Sequence, residues 1–264
     1  MVFRAAVMGD FHGHIHHFRA VTRTLRHAGI DLLLGVGDVG FDFPGAHRGK
    51  VEKKMRLLLE QNGIDFIWAA GNHDNHDTLE RLVLNPDGTR RISDRNSNLP
   101  NGSVLEINGV RIGALGGAFS VDKAWRTAGR DWWPQEEPTR EEAERLVAEC
   151  AKGPRLDILL THDVPMGVEG LKGMDGLSKK TIERANQTRL LLQEAVEKVR
   201  PKALFAGHWH QRLRSGITWD DGTATMVEVL AAEQSWAGNL VQVLVDPEGE
   251  VEVSPLEIQV TFPA

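Results

Sequence analysis

Five short polar clusters in this sequence could do chemistry, and each follows an apolar run that predicts a strand. The clusters combine carboxylates, one carboxamide and imidazoles, which are oxygen and nitrogen ligands suited to divalent metal ions. They are Asp10 and His12; Asp38; Asn72, His73 and Asp74; His162; and His208 and His210. The single cysteine, Cys150, lies in none of them, which argues against a structural zinc site.

The spacing of the clusters favours two metal ions over one. Asp10 and His12 are separated by one residue, so a single short turn can bring both side chains to the same ion. His208 and His210 are alternate residues, which point in similar directions when the chain is extended. The clusters offer seven candidate ligands, more than one ion needs, and two ions that share a carboxylate fit this number better.

The elements that must position these clusters alternate between strand and helix. Apolar residues three or four positions apart predict helices at about 15–27, 50–61, 139–150 and 187–199. This alternation is typical of a layered α/β fold, in which ligands lie at the carboxyl ends of strands. Asn108-Gly109 predicts a hairpin turn, residues 91–104 are expected to form a loop, and the C-terminal part alternates as antiparallel strands do.

Composition bounds the class of protein. The 264 residues are 41% hydrophobic, with neither an internal repeat nor a linker, so we expect one domain over residues 1–264. The net charge of −6 argues against extensive binding of duplex DNA, although a local basic groove is still allowed. A single cysteine, no signal peptide and no apolar run near the roughly 20 residues that cross a bilayer predict a cytoplasmic protein without membrane contact.

Five motifs, in their order along the chain, carry a family resemblance. They are Gly9-Asp10-Phe11-His12-Gly13, Gly37-Asp38, Gly71-Asn72-His73-Asp74, Thr161-His162 and Gly207-His208-Trp209-His210. Together they resemble the calcineurin-like metallophosphoesterase superfamily. The resemblance implies an α/β fold of metallophosphoesterase type, a four-layer α/β/β/α sandwich in which helices face two mixed sheets.

The resemblance also implies a role for each polar residue. The implied metal ligands form two sets that share a bridging Asp38: Asp10, His12 and His210 for one ion, and Asn72, His162 and His208 for the other. His73 would contact the phosphate and the leaving group, and Asp74 would orient it. The cofactors would be two divalent ions, manganese by preference, with iron, zinc, nickel or cobalt as alternatives. They would provide a bridging hydroxide for in-line attack on phosphorus.

The predicted function is hydrolysis of small phosphomonoesters or phosphodiesters, with nucleotides among the candidates. A DNA or RNA nuclease is the alternative, weakened by the net charge. Protein phosphatases of the superfamily usually carry Gly-Asp-x-x-Asp-Arg-Gly and Gly-Asn-His-Glu. This sequence lacks that arginine in residues 37–43 and has Asp74 for the glutamate, so Ser/Thr protein phosphatase activity is less favoured. A non-catalytic interaction scaffold is disfavoured because the ligand set and His73 are complete.

Several other residues are interpreted separately. The tryptophan-rich segment 122–133 is expected to be a hydrophobic lid or a dimer patch. The alternative is a stacking platform for a base, with Arg126 or Arg130 near a phosphate. The charged stretch 136–149 is expected to be a solvated helix face. The remaining histidines are interpreted as helix-face or surface residues: His14, His16, His17, His27, His47 and His76.

Overall fold

Two mixed β-sheets lie face to face, with helices on their outer sides, in the structure, a computed structural model that describes residues 2–46 and 48–259. In chain order the strands are β1 (Phe3–Met8), β2 (Leu32–Gly35), β3 (Asp65–Trp68), β4 (Arg90–Ser93), β5 (Asn96–Asn98), β6 (Val104–Ile107), β7 (Val110–Leu115), β8 (Ile158–Thr161), β9 (Ala203–Ala206), β10 (Leu213–Thr218), β11 (Ala224–Val229), β12 (Leu240–Val245) and β13 (Val251–Pro255).

The helices are α1 (Ile15–Ala28), α2 (Lys50–Asn62), α3 (His76–Arg81), α4 (Arg140–Cys150) and α5 (Lys179–Val199), with a 3₁₀ turn at Lys123–Trp125. Within the described part of the chain, no helix is both long and apolar enough to cross a membrane.

Each sheet has a parallel centre and antiparallel edges. The first sheet has the order β13-β12-β1-β2-β3-β5-β4, and β1, β2, β3 and β5 run parallel. The second has the order β10-β11-β9-β8-β7-β6, with β7, β8, β9 and β11 parallel. Parallel neighbours end at the same edge of a sheet, so the five polar clusters emerge along one end of the sandwich.

Three apolar layers hold the sandwich together. Residues such as Val7 and Leu160 fill the space between the two sheets. Phe18 of α1 and Met55 of α2 pack on the outer face of the first sheet, and Leu192 of α5 belongs to the layer that covers the second. The expected four-layer sandwich of two mixed sheets is therefore confirmed. The single domain over residues 1–264 stays a prediction.

Two predicted segments differ from the structure. The expected loop at 91–104 contains β4 and β5, although Asn, Ser and Asn are poor strand formers. β5 forms because it pairs with β3, and the Asn96 carboxamide accepts the indole N–H of Trp68 at 2.8 Å. The last predicted helix begins eight residues earlier, at Lys179 rather than residue 187, because the Ser178 side chain caps it by accepting the N–H of Thr181 at 3.1 Å.

The core between the sheets gives a test of this architecture. Leu160 is fully buried there, so Leu160→Ala is expected to lower the free energy of unfolding by about 2–5 kcal/mol through lost burial and a residual cavity. Leu190→Ala on α5, where the side chain is 49% exposed, is the matched control and should have little effect. Urea denaturation followed by circular dichroism measures both. Equal losses in the two variants would contradict the assigned core.

Candidate metal centre

The structure brings all seven predicted metal ligands together at the strand ends. The clusters after β1, β2 and β3 come from the first sheet, and those after β8 and β9 come from the second. Contacts across the gap join them: the ring of His162 lies 2.7 Å from the carbonyl of Val36 and 2.9 Å from the carboxamide oxygen of Asn72. The centre is therefore built between the sheets, so neither sheet alone contains it.

Asp38 lies between the two halves of this centre. Its Oδ2 is 3.3 Å from Nε2 of His12, and its Oδ1 is 3.4 Å from Nε2 of His162. The backbone N–H of His73 donates to Oδ1 at 2.7 Å and fixes the plane of the carboxylate. With one oxygen facing each half, Asp38 is placed where a bridging ligand would be needed.

Asp10 organises the half that contains His12 and His210. Its Oδ2 lies 3.2 Å from Nε2 of His210, and both its oxygens accept the backbone N–H of His208, at 3.0 and 3.2 Å. The rings of His12 and His210 are 5.1 Å apart. Asp10 is fully buried, whereas the His210 side chain is 53% exposed, so this half opens to solvent.

His162, His208 and Asn72 form the more enclosed half. The rings of His162 and His208 are 5.1 Å apart. Asn72 turns its carboxamide oxygen towards His162 because its amide group donates to the hydroxyl of Ser120 at 3.0 Å. Ser120 in turn donates to Glu136 at 2.5 Å. This chain of hydrogen bonds orients the one carboxamide among the candidate ligands.

The donor set fits divalent metal ions. Three groups of side chains bring their ligand atoms within 4.8 Å of one another: Asp10 with His12 and His210, His12 with Asp38 and His73, and Asp10 with Asp38 and His162. The first group equals one set that the resemblance implies. The second includes His73, to which the resemblance gives a different role. Carboxylates and imidazoles without thiolates suit borderline-hard ions.

Electrostatics also favour cations at this centre. Burial opposes a charge on His12 and His162, but hydrogen bonding to Asp38 and the charges of Asp38 and Asp10 outweigh it and raise both pKa values to about 10. Burial alone would raise the pKa of Asp38, yet the charge and hydrogen bonds of His162 and His12 hold it well below its usual range. The carboxylate of Asp38 therefore stays ionised and attracts positive charge.

Four of the candidate ligands have a left-handed backbone. The φ angles are 45° at His12, 48° at Asp38, 62° at His208 and 51° at His210. Residues with a Cβ seldom adopt this conformation, and it persists where the surrounding structure enforces it. Here it turns side chains from successive strand ends towards one point.

Asp74 does not orient His73 in the way that was expected. Its carboxylate accepts the backbone N–H groups of Phe41 at 2.9 Å and Gly71 at 2.8 Å, and no described hydrogen bond joins it to the ring of His73. Burial and the charge of Asp38 raise the pKa of Asp74 to about 7. That expectation is therefore wrong, because the turn directs Asp74 back into its own loop, where it locks the turn that carries Asn72 and His73.

The ring of His73 instead contacts Arg126 of the tryptophan-rich segment. The guanidinium nitrogens lie 3.0 Å from Nδ1 and 2.8 Å from Nε2 of the imidazole. Burial lowers the pKa of His73, and the positive charge of Arg126 lowers it further, against the opposing charge of Asp38. No local pattern in the sequence indicated that this loop reaches His73.

Three further residues differ from their expected surroundings. His76 is buried rather than exposed: its ring lies 2.9 Å from the carbonyl of Gly71, and burial lowers its pKa to about 4. His17 is fully buried against Asn239. Glu136 was expected in a solvated face, but it is 1% exposed and supports Ser120. His47 lies outside the described residues.

The tryptophans of segment 122–133 differ in exposure. Trp133 is fully buried, and Lys123 lies 3.9 Å above the ring of Trp132. Trp125 is 89% exposed. Neither Trp132 nor Trp133 offers a fully open ring face for stacking, so a base platform on this segment would have to involve Trp125.

Sequence reasoning missed Glu233, which orients one candidate ligand. Its carboxylate lies 3.0 Å from Nδ1 of His12, on the far side of the ring from Asp38. Such a partner fixes the tautomer of a metal-binding histidine and directs Nε2 to the ion. Glu233 is 221 positions away from His12 in a loop without a motif, so only the fold reveals the contact.

Comparison with known families agrees with this geometry. Residues 3–212 match the family model described as calcineurin-like phosphoesterase. The chain therefore belongs to the calcineurin-like phosphoesterase family, whose members are generally phosphoester hydrolases, and the expected resemblance is confirmed. None of the curated proteins matches the sequence.

Solved structures with the same fold include three that span nearly all of this chain. TT1561 of Thermus thermophilus has a TM-score of 0.58 at 12% identity, over 97% of this chain and 100% of that chain. A dimetal phosphatase from Danio rerio has a TM-score of 0.55 at 12% identity, over 97% of this chain and 99% of that chain. The NAD nucleotidase of Haemophilus influenzae has a TM-score of 0.53 at 15% identity, over 98% of this chain and 56% of that chain. At these identities the likeness shows the fold alone.

The close approach at Gly71 gives a prediction. A Cβ at this position would lie 2.2 Å from both the backbone nitrogen and Oδ1 of Asp38. Gly71→Ala is therefore expected to displace Asp38, to reduce bound metal and to lower stability by about 1–3 kcal/mol. Gly216→Ala is the control, because the nearest atom to a Cβ there is 3.6 Å away. Metal content by mass spectrometry and urea denaturation test this, and unchanged metal binding in Gly71→Ala would contradict it.

The contact between Glu233 and His12 gives a second prediction about metal binding. Glu233→Gln weakens the support of His12 and is expected to lower metal affinity about 10- to 100-fold. Glu248→Gln, at an exposed position, removes the same charge away from the centre and should leave the affinity unchanged. Competition with a chelating dye measures both. If the two variants lose affinity equally, only overall charge matters and the orienting role is wrong.

Proposed function

We propose that this protein is a binuclear metal-dependent phosphoesterase. The observation that carries the proposal is the position of Asp38, which turns one oxygen to each of two histidine-containing halves, with His73 beside it. Membership of the calcineurin-like phosphoesterase family supports it independently.

In this proposal the ligands keep the sets that the sequence resemblance implies. Asp38 is shared, and the two sets are Asp10, His12 and His210, and Asn72, His162 and His208. Two divalent ions, with manganese preferred, supply an activated water and positive charge for the phosphate oxygens. The buried carboxylates and the left-handed turns hold the ligands in place before substrate arrives.

His73 acts on the substrate in this scheme. A bond forms between a water oxygen and phosphorus while the bond from phosphorus to the ester oxygen breaks in line. The ester oxygen leaves as an alcohol with a proton delivered by the imidazole of His73, and the proton that the water loses returns to the imidazole through solvent. Asp74 contributes by holding the turn that presents His73.

The space beside His73 favours a small substrate. A cavity of about 360 Å³ opens against His12 and His73, with Phe43 and Val51 among the apolar residues that line it. It has room for the ester group of a small phosphate compound, nucleotides included. A nucleic-acid strand remains the alternative, and the net charge of −6 disfavours it.

Substitution of Asp38 or His73 tests the proposal. Asp38→Asn and His73→Gln are each expected to lower manganese-supported hydrolysis of p-nitrophenyl phosphate or bis-p-nitrophenyl phosphate by about 1,000-fold or more. His27→Gln, at an exposed site on α1, is the control. Single-stranded DNA in the same substrate panel separates a phosphoesterase of small compounds from a nuclease. Near-normal rates of hydrolysis in folded Asp38→Asn protein would contradict the proposed phosphoesterase function.

A further inference from the structure

Arg126 is held beside His73 by contacts on all sides of its guanidinium group. Asp122 accepts from Nε at 2.7 Å and from one terminal nitrogen at 2.9 Å, and the carbonyl of Asp131 accepts from the other at 3.1 Å. The side chain is only 10% exposed. These contacts fix the orientation of the guanidinium group and leave one hydrogen on each terminal nitrogen to face the ring of His73.

The ring of His73 cannot satisfy both of those hydrogens. A neutral imidazole has one acceptor nitrogen and one N–H, and the protonated imidazole that delivers a proton to the leaving group has two N–H groups and no acceptor. The terminal nitrogens of Arg126 lie 3.0 and 2.8 Å from the two ring nitrogens, so in either tautomer one N–H of Arg126 faces an N–H of His73. An N–H that is largely shielded from water and lacks an acceptor is unfavourable. An anionic oxygen that approaches from the side of this pair could accept from both donors.

We propose that Arg126 binds a non-bridging oxygen of the substrate phosphate, together with His73, and that this contact makes the enzyme selective for phosphomonoester dianions over phosphodiesters. The inference rests on the proposed phosphoesterase function and names the substrate class for it. Arg126 lies at the edge of the centre: Nε2 of His73, which it contacts, is 4.0 Å from Oδ2 of Asp38. A phosphate that reaches the metal centre therefore also reaches the donors of Arg126 and His73.

The preference follows from the number and charge of the phosphate oxygens. A monoester dianion has three non-bridging oxygens, so two can face the metal centre while the third accepts from Arg126 and His73. A diester has two such oxygens and a single negative charge, and an ester group occupies the remaining position. Guanidinium hydrogen bonds are strongest to charged oxygens, so the contact stabilises the monoester far more.

Arg126→Gln tests this by comparing two substrates. At about pH 8, where a phosphomonoester is a dianion, we expect the variant to lose about 100-fold in kcat/KM for p-nitrophenyl phosphate. For bis-p-nitrophenyl phosphate the loss should stay below about threefold. Calorimetry on the manganese-loaded protein should show affinity for inorganic phosphate lowered about tenfold. Asp122→Asn weakens the hold on the guanidinium group of Arg126. It should also lower kcat/KM for the monoester relative to the diester, but by less.

Arg130→Gln is the matched control, because it removes an equal charge from an exposed position of the same segment and should leave both substrates unaffected. Equal losses on both esters in Arg126→Gln, or unchanged phosphate affinity, would overturn the role of Arg126 while the proposed function stands. Wild-type protein that hydrolyses neither ester would overturn the proposed function and this inference with it. A wild-type preference for the diester would overturn the inference alone.

Discussion

Two buried carboxylates side by side are the constraint on which the rest of this centre depends. Asp10 and Asp38 are 0% and 1% exposed, and a ligand oxygen of each lies within 4.8 Å of the other's. Like charges so placed repel, and burial makes each charge more costly. The fold offsets this with backbone N–H groups, from His208 to Asp10 and from His73 to Asp38. The donors come from strand ends of both sheets, so the carboxylates can be accommodated only when the two sheets are packed together.

Close packing at glycines lets the ligands from the two sheets come together. A Cβ at Gly207 would lie 2.0 Å from a carboxylate oxygen of Asp10, and a Cβ at Gly37 would lie 2.5 Å from the ring of His162. Each glycine precedes one cluster in sequence and contacts a ligand of another cluster in space. Gly207 is therefore needed for the ligand that lies against it. Gly37 is needed both for such a close approach and for its own turn, because its φ of +104° is one that residues with a Cβ rarely adopt. This explains why short motifs scattered over about 200 positions act as one unit.

Sequence alone predicted the layered fold and the residues that gather at the strand ends, because both depend on local signals. Apolar runs predict strands, and parallel strands must release their polar ends at one edge. The supporting residues Glu233, Glu136 and Arg126 lack such signals. Each lies in a loop or next to one, and each acquires its role from a partner distant in sequence: His12, Ser120 and His73, respectively. Burial of His76 and the formation of β5 are likewise decided by tertiary packing, which single-sequence patterns do not contain.

The contact between Arg126 and His73 also bears on the arginine that is absent from the motif after β2. The loop after β2 lacks the arginine that the protein phosphatases of the superfamily usually carry, and its Asp42 instead accepts from Thr78 and Arg48. That loop nevertheless places Arg48, which Asp42 holds, at the wall of the cavity beside His12 and His73. The structure places a second guanidinium, that of Arg126, against the ring of His73, on the segment that follows β7 of the second sheet. In the role proposed for Arg126, the segment after β7 supplies the positive charge at the phosphate, next to His73, which follows β3 of the first sheet.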